Sequence, residues 1–356
     1  MKVGTITFHW ATNYGAVLQA YALQEYLKLN KYETEIINYI PIKTRLSQII
    51  TNIKTIRISE LIKEARINEF RNKFLCLSKK TYLTNRKLVK NCHEYDVYVC
   101  GSDQIWNESF ILYSENEPNL SYFLNFVKSD KARISYATSF GTNKLNSKII
   151  DLVKPELEKF KSIGVRENTG KVIIEDMGLN ATLVVDPALL LERESYEKLI
   201  KNTKIKEEYQ LFSYILHENQ IIADKIDKHI FKKYFNKKID KMYNQEPIGI
   251  VEWLYNIKNC KFVSTNSFHG TIFAIIFNKP FIVIPVEGSN MNNRITTLLT
   301  SVGLENRIID GFDENKIDRL MKEPIDWERV ENRVEQLRKG SVEFLEKTFE
   351  SSKVDF

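Results

Sequence analysis

The chain has 356 residues, of which 43% are hydrophobic and 28% charged, and carries a formal net charge of +6. That balance belongs to a folded protein large enough for two domains, and it excludes a disordered or low-complexity chain. No apolar run nears the roughly 20 residues that cross a bilayer, and the opening residues 1–8 read as a strand rather than a signal peptide, so the expected location is the cytosol.

Strand-like runs alternate with helical patterns along the chain, which predicts parallel β-α-β construction. The first strand is read at 3–8. Asn13 is placed as the cap of a helix whose Ala16, Ala20, Leu23 and Leu27 share one face. Further strands are read at 96–100, 133–137, 162–165 and 182–185. A charged connector over 189–209 then separates a fresh series, with strands at 210–216, 261–264 and 281–285 and an apolar helix at 271–277. Near the end, Pro324, Trp327, Val330, Val334 and Leu337 predict an amphipathic helix interrupted near Gly340. The domains expected are 1–188, 189–322 and a helical tail at 323–356. Cys76, Cys92, Cys100 and Cys260 lack any Cys-x-x-Cys spacing, so they read as reduced thiols with neither a zinc site nor a disulfide framework.

The charge is unevenly spread. Between Ile42 and Lys90 stand 13 Lys and Arg against 3 acidic residues, whereas the rest of the chain holds 39 against 43. The segment reads as a basic helical insertion at about 42–90, in which Leu46, Ile49, Ile50, Ile53 and Ile56 follow a helical spacing. Two readings stand: a helix lying on an anionic membrane at its inner face, or a helix packed on the core with a solvated basic face. Nucleic acid is not an expected partner, because no reader motif accompanies the charge.

In open parallel sheets ligands sit beyond the carboxyl ends of the strands. The residues just past those ends are polar and small here: His9 and Asn13-Tyr14-Gly15, Gly101-Ser102-Asp103-Gln104, Thr138-Ser139-Phe140-Gly141, Arg166-Glu167-Asn168, and Asn266-Ser267-Phe268-His269-Gly270. The last stretch puts His269 at a helix entrance, where unpaired N–H groups and the helix dipole favour an anion. Histidine titrates in the range useful for shuttling protons. No cluster of His, Asp and Glu has metal-ligand spacing, and independence of metals is expected.

Taken in order, Gly101-Ser102-Asp103-Gln104-Ile105-Trp106-Asn107, Ser162 to Glu167, Val185-Asp186-Pro187 and Thr265 to Thr271 resemble the successive motifs of the polysaccharide pyruvyl transferases. Asn13-Tyr14-Gly15 and Asn293-Arg294-Ile295 fit the same series, so the resemblance runs over roughly residues 1–310. It implies an α/β fold of two Rossmann-like domains, GT-B-like, with a cleft between them. It further implies transfer of a pyruvyl group from phosphoenolpyruvate, as co-substrate and with no cofactor, to a lipid-linked or nucleotide-linked sugar of a cell-surface glycan precursor. The product is a ketal, with release of phosphate. By the resemblance Arg166 binds the donor's anionic groups and His269 is the catalytic acid or base. Asp103 joins them as a catalytic candidate. Asn13, Tyr14, Gly15, Ser102, Gln104, Asn266, Ser267, Gly270 and Arg294 are the substrate-binding candidates.

One departure stands out: some members of the family carry Arg where this chain has Ser267. Other readings stay open at this level. Arg166 can equally be an ion-pair partner of Glu167, Asp103 a turn or helix cap, and Asn13 and Tyr14 structural residues. His9 and His217 also end strands and are the next candidates after His269. The rival functions are a GT-B glycosyltransferase with a nucleotide-sugar donor and a non-catalytic scaffold of envelope polysaccharide assembly.

Overall fold

A computed structural model describes residues 1–44, 46, 58–201, 208–216, 220–236, 238, 240–286, 288 and 292–354. It divides into two compact units, Met1–Leu191 with Leu337–Phe356, and Glu192–Gln336. His217 and most of the expected basic helix, including Ile49, Ile50, Ile53 and Ile56, lie outside the described residues. No helix among those described is long and apolar enough to cross a membrane.

The first unit is built on a seven-stranded sheet in the order β3-β2-β1-β4-β5-β6-β7. The strands are β1 (Lys2–Ile6), β2 (Glu33–Tyr39), β3 (Leu77–Tyr82), β4 (Val97–Cys100), β5 (Ala132–Thr138), β6 (Ser162–Val165) and β7 (Thr182–Leu183). All pairings are parallel. Central strands such as β4, with the sequence VYVC, are buried on every residue, as expected of a sheet covered on both faces. The order reverses between β1 and β4, the kind of switch point at which the carboxyl ends of strands leave room for a ligand. Below it, Trp106 stacks on Phe123 with centroids 5.1 Å apart and packs on Phe140, closing the core under the loop after β4.

Two strands of this sheet are not among those expected from the sequence. β2 has an irregular burial pattern, and β3 is an edge strand whose Lys79, Lys80 and Thr81 are exposed. Bonded along one side only, β3 needs no apolar alternation to hold its place, so the basic segment from residue 58 onward is a helix, Ile58–Phe74, then a strand, then the helix Asn85–Asn91. The final helix, Trp327–Val354, is continuous through Gly340, contrary to the expected interruption. A single helical glycine costs only about 1 kcal/mol. The next residue, Ser341, is buried and accepts a hydrogen bond from the Val185 N–H at 2.9 Å, which fixes the helix at that point.

The second unit has a four-stranded parallel sheet in the order β11-β10-β8-β9, formed by β8 (Leu211–Tyr214), β9 (Met242–Asn244), β10 (Phe262–Thr265) and β11 (Phe281–Val283). β9, three residues long, is also too short to be expected from the sequence. The apolar core gathers Leu211, Ile226, Ile230, Phe262, Ile282 and Ile317. Phe212, Trp253 and Phe273 pack edge to face on the helical side. β10 is central and buried on all four residues, so its carboxyl end is rigidly placed.

Candidate functional site

In the first unit the polar residues beyond the strand ends form one buried network. Gly101 opens it with φ at +129°, and a Cβ there would lie 2.0 Å from the Tyr136 carbonyl oxygen, so only glycine lets the loop run this close to β5. Ser102 comes next, fully buried. Its N–H donates to Gln19 Oε1 at 3.0 Å, its carbonyl accepts from Thr7 Oγ1 at 3.1 Å, and its hydroxyl is 3.1 Å from Asp186 Oδ2. Gln19 in turn donates to Thr7 at 2.8 Å. Asp186 also caps the short turn after it by accepting from the Ala188 N–H.

Arg166 sits at the centre. Its guanidinium is 2.8 Å from Asp186, 3.3 Å from Asp103 and 3.9 Å from Glu167, and its side chain is 1% exposed. One cation thus faces three carboxylates, a formal −2. Burial by itself lowers the guanidinium pKa, but Asp186, Asp103 and Glu167 outweigh it and raise the pKa above the ordinary value. Asp103 is the group of this set that reaches the surface, with 17% of its side chain exposed. Its backbone is held left-handed at φ +76°, its carbonyl accepts from the Ser139 N–H at 3.0 Å, and its Oδ1 accepts from the Gln104 N–H at 2.9 Å. A non-glycine residue in that conformation is sterically disfavoured and persists because its surroundings determine it.

The Asn13-Tyr14-Gly15 candidates lie at the start of the helix Tyr14–Leu29. Asn13 caps it, its Oδ1 accepting from the N–H groups of Gly15 and Ala16 at 2.9 and 3.2 Å. Tyr14 is fully buried, with the Lys63 ammonium 5.1 Å above its ring. His9 is buried between the Thr7 carbonyl and the Asn38 side chain, and desolvation pulls its pKa down to about 4, so it is neutral at physiological pH.

In the second unit, β10 ends at Thr265 and the helix Phe268–Ile276 begins three residues later. Asn266 clamps the turn by accepting from the Leu216 N–H at 2.6 Å and donating to the Leu216 carbonyl. Ser267 is the cap: its Oγ accepts from the Gly270 N–H at 3.2 Å, and its own N–H donates to Thr265 Oγ1 at 3.0 Å. Gly270 is required by space, since a Cβ would meet Thr265 Oγ1 at 2.6 Å. His269 lies in the first turn, 6% exposed, its ring edge-on to Phe268 with centroids 5.4 Å apart. Arg294, from the helix Asn292–Val302, lays its guanidinium over the same Phe268 ring at 5.5 Å and is 8% exposed. Phe268 therefore carries a cation and an imidazole at a helix N-terminus.

The structure thus gathers Ser102, Asp103, Gln104 and Arg166 in the first unit, and Asn266, Ser267, His269, Gly270 and Arg294 in the second. Thr7, Gln19 and Asp186 belong to the first set and are not among the candidates expected from the sequence. Gln19 has a signal there, being a polar residue close to the apolar stripe of Ala16, Ala20 and Leu23; Asp186 stands within the Val185-Asp186-Pro187 motif without an assigned role. Among the described residues, no group of three or more His, Cys, Asp and Glu side chains is arranged to hold a metal ion.

A model of the polysaccharide pyruvyl transferase family matches residues 13–288. No curated protein matches the chain. Among solved structures it is similar to the UDP-GlcNAc 2-epimerase from Neisseria meningitidis bound to UDP-GlcNAc, at 12% identity and a TM-score of 0.51 over 98% of this chain and 100% of that one. It is also similar to the UDP-N-acetylglucosamine 2-epimerase from Rickettsia bellii, at 10% identity and a TM-score of 0.52 over 98% and 96%. At such identities the likeness concerns the fold, two Rossmann-like α/β units of GT-B-like class.

Proposed function

The chain belongs to the polysaccharide pyruvyl transferase family, and on that premise we propose that it moves a pyruvyl group from phosphoenolpyruvate to a sugar of a cell-surface glycan precursor, forming a ketal and releasing phosphate. The observation that supports this most directly is the pairing of His269 and Arg294 on Phe268 at the start of a helix. Phosphoenolpyruvate carries a phosphate and a carboxylate. A guanidinium fixed against an aromatic face, beside the first turn of a helix, supplies a planar cation and a favourable dipole for such groups. Arg294 also gives the second unit a guanidinium although Ser267 stands where some family members have Arg.

The reaction adds a sugar hydroxyl across the donor's C2=C3 bond: the oxygen bonds to C2 and a proton goes to the C3 methylene. The oxygen of a second hydroxyl then bonds to C2 and displaces phosphate, the C2–O bonding pair leaving with the phosphate oxygen and the proton of that hydroxyl leaving with the phosphate. His269 is the residue we assign to deliver the first proton. The donor itself supplies the leaving group, so the chemistry calls for neither a cofactor nor a metal. Arg166, which the resemblance gives to the donor, is here the counter-ion of Asp186 and Asp103 within a set of net negative charge. We therefore give the donor's anions to Arg294 and leave Arg166 the task of holding Asp103.

The acceptor is a lipid-linked or nucleotide-linked sugar, and the reaction proceeds in the cytoplasm with peripheral contact to the inner face of the membrane. Incubation with phosphoenolpyruvate and a panel of such sugars, followed by mass spectrometry, should yield an acceptor that has gained a pyruvyl ketal. Consumption of a nucleotide sugar as donor, with phosphoenolpyruvate left intact, would instead establish a glycosyltransferase.

A further inference from the structure

The fifteen residues from Leu77 to Asn91 contain five cations and no carboxylate. Lys79 and Lys80 are exposed on the edge strand β3, and Arg86, Lys87 and Lys90 are exposed on the helix Asn85–Asn91, whose Leu88 is buried against the unit. Lys80 and the helix are joined in space. The Tyr82 hydroxyl bonds to the Asn91 carbonyl, and Lys80 acts on the thiol of Cys92, the helix C-cap, whose pKa burial pushes up to about 12. At the other end, the Asn85 N–H bonds to Glu115 Oε1 and Lys43 donates to the Glu115 carbonyl. Exposed apolar groups stand among the cations: Val89 at 47% on the helix, and Ile42 at 39%, whose N–H bonds to the Leu83 carbonyl just before it. The nearby carboxylates are Glu94 and Glu115, and Glu115 is drawn to the Tyr39 hydroxyl at 2.6 Å.

We propose that this face, formed by β3 and the helix Asn85–Asn91, is a docking surface for an anionic phospholipid membrane. Lysines on an edge strand commonly guard it against pairing with another chain, which accounts for Lys79 and Lys80 but not for Arg86, Lys87 and Lys90 on the helix. Cations interleaved with exposed aliphatic side chains suit headgroup phosphates and the acyl boundary beneath them. A nucleic acid would call for stacking aromatics, and between Leu77 and Asn91 the single aromatic, Tyr82, is buried. The inference deepens the membrane contact proposed above and rests on that contact, not on the identity of the donor.

The test is co-sedimentation of the full chain with vesicles of phosphatidylcholine alone and of phosphatidylcholine with about a third phosphatidylglycerol. Wild type should pellet with the anionic vesicles only and be released as salt shortens the screening length. Arg86→Glu/Lys87→Glu/Lys90→Glu should weaken binding on the order of 100-fold or more, at about 1 kcal/mol per cation removed from the surface. Lys144→Glu/Lys148→Glu, a charge reversal at two exposed positions outside this face, should have little effect. Should the triple variant melt early, Lys79→Gln/Lys80→Gln, made on exposed edge positions, decides in its place. Wild type that fails to bind anionic vesicles overturns the membrane contact and this surface together. Binding that survives the variants overturns this surface alone and leaves the contact standing. Tighter retention by polyuridylate than by anionic vesicles overturns the proposal in favour of a nucleic acid.

Discussion

Arg166 and Asp186 form a 2.8 Å ion pair in which neither side chain exposes more than 1% of its surface. Removing one member of a buried pair leaves the other uncompensated, at a cost of about 3–5 kcal/mol. Arg166→Ala, which strands Asp186 among other carboxylates, should lower unfolding free energy by that amount in urea titrations, and Asp186→Ala by less, because Asp103 at 3.3 Å and Glu167 at 3.9 Å still face the guanidinium. Arg166→Lys keeps the charge but loses the fork that spans Asp186 and Asp103, so stability should fall while phosphoenolpyruvate affinity per folded molecule stays within about twofold. A tenfold loss of affinity at unchanged stability would return Arg166 to the donor.

His269→Ala should fold normally and lose on the order of 10²–10⁴ in turnover, the usual worth of a general acid or base, with donor affinity much less affected. Melting temperature, calorimetric affinity and turnover measured on one preparation separate this from a packing role. A packing histidine would lower stability and leave turnover per folded molecule near wild type.

Arg294→Lys should weaken phosphoenolpyruvate binding by roughly tenfold, because an ammonium neither lies flat on Phe268 nor forms a bidentate contact with a carboxylate or phosphate. Phe268→Leu should shift affinity in the same direction by removing the platform under the guanidinium. Isothermal titration gives both values. Unchanged affinity in both variants would remove this cluster from the donor site.

Asp227 is 3% exposed in the core of the second unit, and burial pushes its carboxyl up to about 6 although the Ser213 hydroxyl donates to it. A folded pKa above the unfolded 3.8 means that the native state binds more protons between about pH 4 and 6. The contribution is therefore full below that window and is lost as pH rises through it, by roughly 3 kcal/mol. His9, depressed to about 4, gives the opposite slope, with stability lost as pH falls below about 6.5. The readout is thus the difference between wild type and Asp227→Asn. The variant should be more stable at pH 7, by an amount that shrinks toward pH 4, and an equal difference at both pH values would refute the assignment.

Local chemistry was legible in the sequence wherever it depends on neighbours along the chain. Asn13 is a cap because a short polar side chain reaches N–H groups two or three residues on, the helix entrance at His269 follows from the turn before it, and the main strands appear as runs of apolar residues because a covered parallel sheet buries both faces. The family motifs likewise marked Asp103, Arg166 and His269. What only the tertiary structure decided is whom these residues meet. Gln19 reaches Ser102 across 83 positions and Ser102 reaches Asp186 across 84, and Arg294 crosses from another helix to the face of Phe268. Periodicity carries no record of such pairings, because they arise from strand order and helix packing. The same holds for the edge strand β3, whose lysines read as helix surface until its pairing with β2 is seen. The net charge around Arg166, which decides between an anion's ligand and a carboxylate's counter-ion, is a property of the folded neighbourhood alone.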